Sequence, residues 1–97
     1  MTKKLPPSHL SAAAKRLWAA VRQTHVLDDA DGLALLRVAC EAFDRAESAR
    51  TLIDQTGPCV LDRFGQLRAH PAVQIERDAR SQIIAAFRAL RLSPPEV

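Results

Sequence analysis

The stretch from Leu27 to Pro58 constrains the fold most. Asp28 and Asp29 offer an N-cap and negative charge for the positive end of a helix dipole. Gly57-Pro58 supplies a C-cap glycine and a breaker. Between them the pattern predicts one long helix over residues 28–56. Leu33, Leu36, Cys40 and Phe43 form one apolar strip. Leu35, Val38, Ala39, Ala42, Ala46, Ala49 and Ile53 form an adjoining strip rich in alanine. Only the arc of Arg37, Glu41, Asp44, Arg45 and Ser48 is plainly polar. A helix apolar over more than half its circumference is buried on two sides.

The rest of the chain offers two shorter helices to cover it. Pro6-Pro7 keeps a basic arm, residues 1–10, extended. Ser11 is the expected N-cap of a first helix over 11–25, with Leu10, Ala14, Leu17, Trp18 and Val21 in one arc. Lys15, Arg16 and Arg22 are expected on its outer side. Residues 58–69 read as a small hairpin, with Gly65 supplying a positive φ. His70-Pro71 starts a third helix over 70–92, since proline suits the first helical position. Its expected inner face is Ala72, Ile75, Ala79, Ile83, Ala86 and Leu90. Arg77, Arg80, Arg88 and Arg91 share another face. The expected fold is therefore mainly α: three helices with a small β-hairpin between the second and third, in one domain spanning 1–97.

So small a chain has a thin core of its own. Part of the long helix is therefore expected to meet another subunit. Leu35, Val38, Ala42, Ala46, Ala49 and Ile53 are the expected interface of a homo-oligomer larger than a dimer.

Charge is unevenly spread. Lys3, Lys4, Lys15, Arg16 and Arg22 give residues 1–27 a charge of +5 with no acid. Residues 28–55 carry seven acids against three arginines, −4. A basic start of this kind suits a polyanion partner or the acidic surface of a neighbouring chain. The predicted phosphate contacts are Lys3, Lys4, Lys15, Arg16 and Arg22, with Arg77, Arg80, Arg88 and Arg91 as a second basic face.

Other classes are excluded. No apolar run approaches the length of a membrane span. The start Met1-Thr-Lys-Lys-Leu-Pro-Pro lacks the apolar stretch of a signal peptide, which points to a reducing, cytosolic setting. Cys40 and Cys59 then read as reduced thiols. Gly32, Gly57 and Gly65 are isolated and form no phosphate-cradling loop. Two cysteines and three scattered histidines make no structural zinc site. No catalytic constellation is visible, and no metal or cofactor is expected.

Two blocks, Leu27 to Arg50 (LDDADGLALLRVACEAFDRAESAR) and Leu61 to Arg80 (LDRFGQLRAHPAVQIERDAR), carry a likeness. With Leu10-Ser11 and Leu17-Trp18, they resemble the small subunit of a phage terminase, of the short helical type common in prophages. The likeness covers about Pro6 to Leu92 and is most specific at His70-Pro71-Ala72-Val73. It implies a non-enzymatic packaging subunit of the host bacterial cytoplasm. Such subunits form rings, bind viral double-stranded DNA and deliver it to the large subunit, which holds the ATPase and nuclease. Relatives carry a longer basic arm before the first helix, where Met1 to Leu5 stand here, and the tail after Leu92 is also short. The alternative class is a small helical protein-interaction adaptor without a DNA role.

Overall fold

The computed structural model describes residues 5–27 and 29–90. The element order is α1 (Ala12–Thr24), α2 (Ala30–Thr56), β1 (Cys59–Leu61), β2 (Leu67–Ala69) and α3 (Pro71–Ala89). The mainly helical architecture with one hairpin between the second and third helices is as expected. The expected caps Ser11 and Asp29, and His70, which stands as the N-cap of α3 and not inside it, each receive a backbone N–H. Ser11 Oγ accepts from Ala14 at 3.1 Å, Asp29 from Gly32 at 3.4 Å and His70 Nδ1 from Ala72 at 2.9 Å. Gly57 ends α2 at φ 84°, a conformation that side chains with a Cβ rarely adopt.

The molecule is elongated, 59 × 31 × 23 Å. α2 and α3 run antiparallel as a stem. α1 folds back along the N-terminal half of α2, so one end of the stem is a three-helix head. There Leu10, Ala14, Trp18, Val21, Leu27, Leu36 and Cys40 are buried, with Phe87 of α3 and its C-cap Leu90 packed against them. The start of α1 is pinned to α2: the backbone N–H of Ser11 donates to Asp44 at 2.9 Å, and its hydroxyl donates to the same carboxylate.

The alanine strip meets α3 of its own chain, which corrects the expected subunit interface. Ala42 and Ala46 pack with Ala79 and Ile83, and Ala49 and Ile53 pack with Ala72. Ala42 and Ala46 are fully buried, Ala49 is 3% exposed and Ile53 5%. Small side chains on both helices let the two backbones approach closely, and the strip is used up by that approach. Of the six residues expected to face a neighbour, only half-buried Leu35 and exposed Val38 keep accessible surface. Burial of α2 on two sides is thus supplied within one chain, by α1 and by α3.

Ile75 is a second correction. It lies 48% exposed at the flank of the stem instead of on the inner face of α3. Ala72, Ala79 and Ala86 take the centre of that face because only small residues fit against the alanines of α2.

The two cysteines sit in opposite surroundings. Cys40 is buried in the head, and burial, with the Asp44 and Glu41 charges adding, pushes its thiol up to about 11. Cys59 is exposed on β1. In the native state at pH 8, Cys59 is expected to react with a thiol reagent while Cys40 stays protected until the chain is denatured. Two reactive thiols per native chain would contradict this packing.

Candidate nucleic-acid interface

The structure separates the basic residues expected to act together on α1. Arg16 is exposed, whereas Lys15 and Arg22 are half-buried. Each follows a buried residue, Ala14 or Val21, by one position, about 100° around the helix. That places Lys15 and Arg22 on the border of the buried stripe and corrects their assignment to the outer side. Lys15 and Arg16 have no acidic partner among the described residues. Lys3 and Lys4 lie outside the described residues. Trp18, 5% exposed, belongs to the core.

On α3, Arg77, Arg80 and Arg88 are exposed; Arg91 lies outside the described residues. Two of the three are engaged locally. Arg80 pairs with Glu76 at 3.0 Å, and the same Glu76 also meets Arg50 of α2 at 3.5 Å. Arg77 donates to Gln74, whose amide donates to Asp78 at 2.8 Å. This face therefore carries its own compensating acids, and exposed Val73 and Ile84 lie among its arginines.

The acidic arc of α2 is engaged as well. His9 Nε2 lies 2.7 Å from Glu41, and Arg37 Nε lies 3.2 Å from the same carboxylate oxygen. The His9 hydrogen bond first, then Arg37, holds the Glu41 carboxyl below its ordinary range against the opposing effect of burial. A depressed carboxyl stabilises the fold above its unfolded pKa and loses that contribution as pH falls through the folded value. The stability gap between the native chain and Glu41→Gln should therefore narrow on going from pH 7 to pH 3. With Glu41 partly exposed, the gap should be under about 1 kcal/mol at pH 7. Urea unfolding at several pH values checks this; a gap that does not change with pH would contradict it.

The hairpin carries groups the sequence reading passed over. Cys59 pairs with Ala69, Val60 with Arg68 and Leu61 with Leu67. Asp62 organises the turn, accepting from the Phe64 and Gln66 amides at 2.8 and 3.0 Å and pairing with Arg68 at 2.7 Å. Arg68 chiefly, with those amides, holds the Asp62 carboxyl below the usual range. Gly65 takes φ 75°, the positive value expected for it. Leu61, Phe64 and Leu67 are 67–73% exposed. Their apolar character was a readable signal, but the sequence does not say that no helix of the same chain covers them.

Among the described residues no group of three or more His, Cys, Asp or Glu is placed to hold a metal ion. No helix among them is long and apolar enough to cross a membrane. A three-helix head that includes the basic helix α1, a slender stem and an uncovered hairpin define a small, mainly helical chain.

The family profile described as phage terminase, small subunit, matches residues 12–96. The chain belongs to that family, whose members serve in phage DNA packaging, and no catalytic family is indicated. No curated protein and no solved structure shows significant similarity to it.

Proposed function

We propose that this chain is a non-catalytic DNA-packaging subunit that forms a homo-oligomer larger than a dimer in the host cytoplasm. It binds viral double-stranded DNA and presents it to the large terminase subunit. The observation that carries the DNA contact is the acid-free helix α1. Its Lys15, Arg16 and Arg22 add +3 within thirteen residues, and Lys15 and Arg16 have no acidic partner among the described residues. Lys3 and Lys4 extend the same charge along the sequence. Arg77, Arg80, Arg88 and Arg91 form the second candidate face, in which local acids already compensate part of the charge.

No base-reading element is visible on either face, so the contact is with phosphates and tolerates any sequence. Repetition of one weak patch around an oligomer raises its avidity without new contacts. Light scattering with and without a duplex of mixed sequence tests this reading. The expected result is a mass above that of a dimer, and a heavier complex with DNA. A monomer or simple dimer that ignores DNA would favour the adaptor.

A further inference from the structure

The tip of the hairpin gathers apolar side chains around one free cation. Leu61 and Leu67 are the last pair of the ladder before the turn. They are 67% and 73% exposed, and the Phe64 ring in the turn is 71% exposed. The Arg63 guanidinium lies 5.0 Å from the centroid of that ring and pairs with no acid among the described residues. A guanidinium stacked on an aromatic face keeps its N–H donors available at its edge.

The one acid of residues 58–69, Asp62, is neutralised locally. Arg68 pairs with it at 2.7 Å, and the Phe64 and Gln66 amides donate to it. Its side chain is only 15% exposed. Asp62 therefore shapes the turn without opposing an anionic partner. Arg63 is left as the uncompensated charge of a pre-shaped tip.

Duplex DNA offers two grooves to such a tip. A two-stranded ribbon fits the major groove, where polar side chains along the strands read base edges. Here alternation puts Cys59, Leu61, Leu67 and Ala69 on one side of the ribbon, with Val60 and Arg68 on the other. Arg68 is the one polar side chain among the six, and Asp62 already holds it. The minor groove, about 6 Å wide, takes single side chains instead of a ribbon. Its floor carries base acceptors and a negative potential that attracts an inserted arginine. Its walls are deoxyribose rings, and apolar side chains inserted there wedge against base steps. A free guanidinium beside an exposed ring, flanked by two leucines, matches that combination of charge and apolar surface.

We propose that the hairpin tip is a second DNA contact, in which Arg63 enters the minor groove of the duplex and Phe64 wedges against a base step. The inference rests on the DNA-packaging reading and deepens it by adding a contact at the end of the stem opposite α1. The tip reads groove shape and stacking, not base identity, so duplexes of mixed sequence remain equivalent.

The full-length chain and a mixed-sequence duplex carrying 2-aminopurine test it. This base analogue brightens when it is unstacked. The parent should raise its fluorescence on binding, and Phe64→Ser should abolish that rise while anisotropy still shows binding through α1. Arg63→Gln should lower the slope of log affinity against log salt by about 1 per bound copy. Dimethyl sulfate footprinting should show protection of adenine N3, in the minor groove, by the parent and not by the double variant Arg63→Gln/Phe64→Ser. Both side chains lie in an exposed turn outside the helices, and circular dichroism and light scattering check that helicity and mass match the parent. A double variant with the parent's affinity, salt slope and footprint would overturn the tip contact while leaving DNA binding through α1 in place. Protection of guanine N7 alone would overturn the minor-groove assignment. A double variant that loses oligomeric mass would make the tip a subunit contact and overturn the inference as well. A parent chain that binds no duplex at low salt would instead overturn the DNA reading on which it rests.

Discussion

Replacing Ala46 with glutamate is expected to unfold the stem, not merely to separate subunits. Ala46 is fully buried and packs with Ala42, Ala79 and Ile83 within one chain. At 0% exposure Ala46 leaves the longer side chain no path to solvent, and among the described residues no polar or charged residue is buried to receive it. Overpacking of a core costs about 1–3 kcal/mol. An uncompensated buried charge costs several more, of order 3–5 kcal/mol. A domain of this size has a total stability of about 5–15 kcal/mol, so a loss near 4 kcal/mol removes much of it. The melting temperature should fall by roughly 15–30 °C. Val38→Glu is the control, because Val38 is 44% exposed on the same helix. A surface change of that kind shifts stability by about 0.5 kcal/mol or less. Thermal unfolding followed by far-ultraviolet dichroism and by Trp18 fluorescence checks both. An Ala46→Glu chain that melts like the parent but loses oligomeric mass would place the alanine strip between subunits after all.

The second large effect concerns DNA. Changing Lys15, Arg16 and Arg22 together to glutamine should weaken binding on every sequence and flatten its salt dependence. Each phosphate contact contributes about 0.9 to the slope of log affinity against log salt. Three lost contacts therefore lower that slope by up to about 3 per copy. Exposed Arg16 should account for most of the loss. Lys15 and Arg22, on the border of the buried stripe, reach fewer phosphate positions. Changing Arg77, Arg80 and Arg88 to glutamine should matter less, since Glu76 and Gln74 already hold two of them. Fluorescence anisotropy on two unrelated duplexes separates the faces. Unchanged binding in the α1 variant together with loss in the α3 variant would assign the contact to α3.

The helix ends were legible because each rests on a local rule that the chain obeys. Ser11, Asp29 and His70 accept the N–H groups that a helix start leaves over. Gly57 and Gly65 take the positive φ that a C-cap and a tight turn require. The apolar strips of α2 were legible too, because a 3.6-residue period marks which side is buried. Periodicity does not say what covers a buried side. The alanine strip could serve another copy or the same chain, and only the return of α3 along α2 decides between them.

The same limit explains Lys15 and Arg22. One residue's step from a buried neighbour leaves a side chain at the edge of the stripe, where a wheel drawn from sequence assigns it outward. An open groove on the flank of the stem, walled by Leu52 of α2 and Ile75 of α3, escaped notice for a related reason. It exists only because alanines fill the centre of the α2–α3 contact and leave larger residues at the flank. Glu41 and Asp44 read only as part of a polar arc because their partners, His9 and Ser11, lie 32 and 33 residues away in sequence.

This terminase small subunit is proposed above all to grip DNA through phosphates. Anisotropy titration of the intact chain against a mixed-sequence duplex, repeated from about 50 to 200 mM salt, tests it most directly. The expected result is binding at low salt that falls steeply and equally for unrelated sequences, with a log–log slope of several units. No binding at low salt, or affinity that holds steady as salt rises, would contradict it.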